Sequence, residues 1–266
     1  MPPVPPNSLP DLLLSQGRTS FTLAEAKSML DRDDDAVRKG LARLARKKEI
    51  FSPSRSFYVV IPPEYRLWGT VPAAHFVDPL MRFLDRTYYV ALLSAAEMHG
   101  AAHQAPQVFQ AMVDQPLRDR DFGRVRLRFF TSAHVIDAPV ERRNVPTGTV
   151  RLATRELTAV DLVEHPGNSG GIDNVATILT ELEQLDGKLL AEAAATGPRS
   201  VARRLGWLLT FVGADVDLDP LRDLAAVGEG EPTDLRAGAP RRGAVDRAWH
   251  VRVNVEIQPD LSAQRS

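Results

Sequence analysis

The strongest constraint on this chain lies between Asp34 and Ile61, where a helical repeat gives way at once to two strand-like runs. At 100° per residue, Val37, Leu41, Leu44 and Lys48 share one face of a helix that runs to about Lys47, and the three apolar ones can pack on the elements before it. Lys39, Arg43 and Arg46 fall on the opposite face, with Arg38 and Lys47 on its flanks. Asp33 or Asp34 can cap this helix, and acidic residues in its first turn suit the helix dipole. Directly after it, Glu49–Ser52 and Phe57–Ile61 read as strands around the turn Pro53–Ser56.

Upstream, Thr22 with Glu25 three residues later predicts a capping box and a helix whose Leu23, Ala26, Met29 and Leu30 share a face. Asp31-Arg32-Asp33 makes the polar turn between the two helices. A short apolar stretch, Leu9–Leu14, stops at Gln16-Gly17 after a proline-rich lead-in from Pro2 to Pro10. Two helices joined by a tight turn and followed by a hairpin is the order of a winged helix-turn-helix. Its basic stripe would neutralise phosphates and reach guanine edges in the major groove, with Arg55 on the hairpin tip at the backbone or minor groove. The plainer alternative is a small helical domain with a solvated charged face. Asp33, Asp34 and Asp35 at the start of the helix would repel phosphate unless turned elsewhere.

A net charge of −1 alone argues against a nucleic-acid binder, but its distribution does not. Residues 1–62 carry ten Lys+Arg against seven Asp+Glu, leaving −4 for the remainder. Four of the five lysines, Lys27, Lys39, Lys47 and Lys48, lie in that segment, although arginine outnumbers lysine by 28 to five overall. There is no cysteine, which excludes disulfides and thiolate metal sites. No apolar run approaches the ~18 residues of a membrane span, and Met1–Pro6 lacks the pattern of a signal peptide, so the cytoplasm is the expected compartment.

Beyond residue 62 the pattern is mixed. Glu64–Val77 is irregular, Tyr88–Met98 reads as a helix, and Gln107–Val113, Arg124–Thr131, Val140–Val145 and Thr149–Ala153 read as strands. Helices are expected over Thr154–Val163, Asp173–Leu185, Lys188–Ala195, Ser200–Val212 and Pro220–Ala226, and a final strand over His250–Ile257 that returns to the sheet of the middle segment. The fold class is therefore α+β: an N-terminal winged helix-turn-helix over 1–62, a mixed α/β domain over 63–172, and a helical extension with a returning final strand over 173–266 that packs on the middle segment as one C-terminal domain.

Four clusters invite chemistry. Arg124, Arg126 and Arg128 line one face of a strand, either as a second phosphate surface or as a solvated face paired with acidic neighbours. Arg199, Arg203 and Arg204 make a minor basic spot. Glu97, His99 and His103 approach a metal spacing, but Gly100 ends the helix and the order is not His-Glu-x-x-His, so no metal is expected. Gly167-Asn168-Ser169-Gly170-Gly171 resembles the nucleophile loop of trypsin-like proteases, and Ala73-Ala74-His75 their histidine motif. Helices on both sides of the glycine loop favour a connector instead. No phosphate-cradling loop or carboxylate cluster appears, so neither enzyme activity nor a cofactor is expected.

In order along the chain, the N-terminal unit, Ala91–Phe109 (ALLSAAEMHGAAHQAPQVF), Arg124–Phe130 (RVRLRFF), Val150–Val163 (VRLATRELTAVDLV) and Arg204–Val212 (RLGWLLTFV) resemble the AbiEi-type antitoxin family, from about Leu23 to Leu261. The resemblance implies an antitoxin of a type IV toxin–antitoxin (abortive phage infection) system. Such a protein binds inverted repeats in its own promoter and represses it. It counteracts a nucleotidyltransferase-like toxin without needing a stable complex, and stands on DNA as a monomer or weak dimer. The implied DNA-facing positions are Arg38, Lys39, Arg43, Arg46, Lys47, Lys48 and Arg55, with Arg124, Arg126 and Arg128 as a second set. A ligand-responsive repressor, or an enzyme that modifies the toxin, remains the alternative.

Overall fold

The computed structural model describes residues 8–101, 107–226 and 230–260. Residues 2–7 of the proline-rich lead-in, His103 and Leu261 lie outside that set. The described elements, in chain order, are α1 (Leu9–Ser15), β1 (Ser20–Thr22), α2 (Leu23–Leu30), α3 (Asp34–Arg46), β2 (Ile50–Ser54), β3 (Phe57–Val60), α4 (Val77–Phe83), β4 (Tyr88–Val90), α5 (Leu92–Met98), β5 (Phe109–Val113), β6 (Arg120–Phe122), β7 (Val125–Thr131), β8 (Val140–Val145), β9 (Gly148–Ala153), α6 (Arg155–Glu164), α7 (Ile172–Glu181), α8 (Gly187–Ala194), α9 (Arg199–Val212), α10 (Asp219–Ala226), β10 (Thr233–Asp234), β11 (Val245–Asp246) and β12 (Val251–Arg252). This is a mixed α+β protein. The chain divides into two compact units: residues 8–88, 107–133 and 142–151, and residues 89–101, 134–141 and 152–260.

In the first unit, α2 begins at the expected capping box. The Glu25 amide donates to the Thr22 hydroxyl at 3.2 Å, and the Thr22 amide returns to the Glu25 carboxylate at 2.7 Å. Asp33 caps α3 by accepting from the Ala36 amide at 2.8 Å. Leu9, Leu13, Phe21, Ala26, Leu30, Val37, Leu41 and Leu44 form one buried core with Ile50 and Val60 of the hairpin. The hairpin is joined by β1, which pattern reading passed over. Its Phe21 pairs with Tyr58 in an antiparallel register, giving the order β1-β3-β2.

β3 is buried on both faces. Val60 points to the helical core, while Phe57 and Val59, with Ile61 beyond the strand, enter a second core with Phe76, Leu80 and Leu127. This is why the run Phe57–Ile61 is apolar at nearly every position rather than at every second one. The second core continues into the sheet β6-β7-β5, in which β5 runs parallel to β7 (Phe109 opposite Leu127) and β6 antiparallel to it. Phe51 meets Phe76 edge-to-face at 5.2 Å between ring centroids.

The second unit is built around α6. Every residue from Glu156 to Val163 is buried, and α5, α7, α8 and α9 pack on it. Its buried polar groups are mostly structural: Thr154 caps the helix, and the Glu156 carboxylate accepts the Asp186 amide at 3.1 Å ahead of α8. Asp161 is different. Burial pushes its carboxyl well above the usual range, the Tyr89 hydroxyl stands 3.5 Å away, and its second oxygen has no partner.

Two expectations are corrected here. Tyr88–Met98 is not one helix but β4 followed by α5, with Ala91 extended between them and Leu92, the first residue of α5, at a φ of +52°. Tyr88, Tyr89 and Val90 are all buried, and aromatic and β-branched residues in a run suit a strand. The final strand is also not a return to the middle sheet. β12 is two residues long and lies in its own sheet, order β10-β12-β11. It is held by Trp249, which packs where Gly206 leaves α9 bare; a Cβ there would fall inside the indole ring. The indole N–H donates to the Thr210 hydroxyl at 3.0 Å.

Candidate nucleic-acid interface

α3 presents Val37, Gly40, Leu41 and Leu44 to the core and leaves Arg38, Lys39, Arg43, Arg46 and Lys47 exposed. The three aspartates at its start are each engaged locally. Asp33 is the cap. Asp34 accepts from Arg38 at 3.0 Å and pairs with Lys27, and Asp35 pairs with Lys39 at 3.2 Å. The hydrogen bonds from Lys27 and Arg38 hold the Asp34 carboxyl below its usual range, and Asp34 raises Arg38 in return. Acid four residues before base is the favourable orientation on a helix, though exposed pairs of this kind contribute little.

The consequence is a division along the helix. The N-terminal half neutralises itself. Arg43, Arg46, Lys47 and Lys48 have no ion-pair partner among the described residues. Lys48 occupies the left-handed region at φ +56°, just past the helix end. The Glu49 amide donates to the Leu44 carbonyl at 3.0 Å and the Lys48 amide to the Ala45 carbonyl at 3.0 Å, which is the Schellman arrangement that usually places glycine at that position. Arg55 is exposed in the two-residue loop between β2 and β3, where Ser54 pairs with Phe57.

The arginines of β7 and the turn before it are not equivalent. Arg128 bonds Asp121 at 2.7 Å and faces Asp119 at 3.4 Å, so its charge is matched. Arg124 lies over the Trp68 ring, 5.8 Å from its centroid. Arg126 is exposed and lies close enough to Asp121 to help hold that carboxyl down, after the larger effect of Arg128. Arg203 and Arg204 make no basic spot: they are directed at backbone carbonyls, of Ala225 at 3.1 Å and Asp234 at 2.8 Å. Arg199 sits one residue into α9.

The groups considered for catalysis have structural partners. The Ser169 hydroxyl is buried and donates to the His165 carbonyl at 2.9 Å. Gly170, at φ +78°, lets the Asn174 side chain close the turn onto the Ser169 carbonyl. His75 stacks edge-on against Tyr65, and burial lowers its pKa. A ring nitrogen of His99 lies 2.8 Å from the Ala153 carbonyl. Among the described residues no group of three His, Asp or Glu is placed to hold a metal ion. An open cleft of about 340 Å³ in the first unit is lined by Arg18, Glu25, Asp78, Arg82 and Thr147. Its guanidiniums are already paired, Arg18 with Glu25 and Arg82 with Asp78. Among the described residues no helix is long and apolar enough to cross a membrane.

The exposed pair Leu67-Trp68 lies in the irregular run Glu64–Val77, where no helical or strand repeat points to it. An aromatic and a leucine beside Gly69 in a proline- and glycine-bounded loop was the available signal.

Residues 89–211 match the family model of the AbiEi antitoxin C-terminal domain, which identifies that stretch as an AbiEi-type antitoxin domain and bears out the resemblance. A domain of this family supports an antitoxin role in a toxin–antitoxin system. The chain is also similar to the crystal structure of the RV2827C protein from Mycobacterium tuberculosis, with a TM-score of 0.69, 16% identity, and coverage of 92% of this chain and 89% of that one. At that identity the likeness concerns the fold alone. No curated protein matches the chain.

Proposed function

We propose that the protein is a DNA-binding antitoxin that represses its own operon and counteracts a nucleotidyltransferase-like toxin in the cytoplasm, without cofactor or catalysis. On this reading α2, α3, β2 and β3 are a winged helix-turn-helix, and the rest of the chain carries the antitoxin activity. The observation that carries it is the row Arg43, Arg46, Lys47 and Lys48: four exposed cations on and just beyond a helix whose own acids are engaged elsewhere. Unpaired cations on an exposed helix face suit phosphates, and Arg55 on the hairpin tip suits the backbone of the adjoining groove. Arg38 and Lys39 belong to the same face and can exchange Asp34 and Asp35 for phosphate, because exposed ion pairs are weak. Arg124 and Arg126 are the members of the second set whose charge is least matched.

The test is a gel-shift titration on DNA from upstream of the gene against a scrambled duplex of equal length. Tighter binding to the upstream DNA supports the reading, and equal binding contradicts it. Co-expression with a nucleotidyltransferase-like toxin then separates an antitoxin from a plain repressor, since only the former restores growth.

A further inference from the structure

The chain from Pro62 to Gly69 folds into a tight series of turns. The Tyr65 amide donates to the Pro62 carbonyl at 3.0 Å, and the Trp68 amide to the Tyr65 carbonyl at 2.9 Å. Gly69, at φ +70°, closes the last turn with bonds to the Tyr65 and Arg66 carbonyls, both at 3.2 Å. The indole of Trp68 is gripped on two sides, by the Tyr65 ring at 5.6 Å and by the Arg124 guanidinium. On this platform Leu67 is 91% exposed and Trp68 46%.

We propose that Leu67 and Trp68 form an apolar wedge that enters the minor groove of the DNA held by α3 and opens a base step. The inference rests on the DNA-binding reading given above. A single exposed leucine means little by itself. What distinguishes this one is its frame. The Lys48 side chain runs along Gly69, whose Cβ position would stand 3.5 Å from Lys48 Cδ, and the Trp68 carbonyl lies 3.4 Å from the Cβ position of Gly123, next to Arg124. The wedge therefore has an apolar centre with two cations close to it, Lys48 along Gly69 and Arg124 over the indole, and Lys48 makes it continuous with the unpaired row of α3. A surface complementary to that has an apolar slot with anionic groups beside it, which describes a base step seen from the minor groove, flanked by its phosphates. Because backbone hydrogen bonds close these turns and the indole is already packed, the pair is presented in shape and less ordering entropy opposes insertion.

The test uses the full chain and a duplex of the upstream DNA labelled at its two ends, read for end-to-end energy transfer and for affinity. The expected result is a bend with the wild type, and no bend and roughly tenfold weaker binding with Leu67→Ser, since an apolar contact is lost. The salt dependence should stay the same, because no cation is removed, and Leu67→Met should restore the bend. If the wild type binds specifically but leaves the duplex straight, or Leu67→Ser bends and binds it equally, the wedge is overturned and DNA binding stands. If the wild type does not prefer the upstream duplex, the DNA reading falls and the wedge with it. If Leu67→Ser binds DNA normally but no longer rescues cells from the toxin, the pair is a protein contact and the wedge is overturned.

Discussion

Lys48 closes α3 in the left-handed region and lays its side chain along Gly69, where a Cβ would stand 3.5 Å from Lys48 Cδ. A side chain in that conformation costs roughly 1–2 kcal/mol that glycine would not. The chain thus tolerates strain and keeps a cation at the end of its unpaired row. Lys48→Gly is expected to leave thermal stability unchanged or raise it by a few degrees, since about 1 kcal/mol shifts Tm by a few degrees in a protein of this size. The same variant should bind upstream DNA more weakly. Thermal melting and fluorescence anisotropy on one preparation check both halves. A drop in Tm would contradict the strain, and unchanged affinity would remove Lys48 from the interface.

Glu25 ties α2 to its cap. Burial raises its carboxyl, but the Thr22 amide and hydroxyl and the Arg18 guanidinium together outweigh that and leave it below the usual range. A carboxyl depressed in the folded state stabilises fully above its unfolded pKa, and that contribution is lost as pH falls through the folded value. Stability should therefore decline on acidification below the ordinary glutamate range, and Glu25→Gln should flatten that decline while lowering stability at neutral pH. Urea midpoints measured across pH for both proteins test this. Thr22→Ala should cost about 1 kcal/mol through loss of the same cap.

Some of this architecture was legible because its causes are local. The capping box at Thr22, the Asp33 cap and the apolar stripe of α3 depend on residues three or four apart. The Asp34–Arg38 and Asp35–Lys39 pairs carried the same kind of signal in their spacing, so the acidic run need not have been a puzzle. The break at Leu92 was hidden because Tyr88 to Leu93 is almost all apolar and satisfies a helical and a strand repeat equally. The final strand misled for a different reason. Its alternating valines fit a long strand, but its position is fixed by Trp249 and Gly206, 43 residues apart in sequence. The matching of Arg128 by Asp121, seven residues away across a hairpin, is the paired reading that the sequence already offered, whereas the exposure of Leu67 and the inward turn of Arg203 are tertiary facts that no local pattern encodes.

That contact between Trp249 and Gly206 makes a stability prediction for the second unit. Gly206→Ala places a methyl inside the indole ring, and α9 and the segment carrying β11 and β12 must separate to admit it. Overpacking of a tight core typically costs ~1–3 kcal/mol. Trp249→Ala should cost ~3–5 kcal/mol through the cavity it leaves. Urea unfolding followed by circular dichroism reads both, and a Gly206→Ala protein as stable as the wild type would show that the segment is not clamped there.

The central claim, that α3 meets phosphates through its unpaired end, is tested most directly by the salt dependence of binding to upstream DNA. Each phosphate contact adds about 0.9 to the slope of log affinity against log salt. Arg43→Ala, Arg46→Ala and Lys47→Ala are each expected to weaken binding and lower that slope by nearly one contact, and Lys39→Ala by less, because Asp35 already shares its charge. If all four variants keep the wild-type slope and affinity, α3 does not face DNA and the proposed function is wrong.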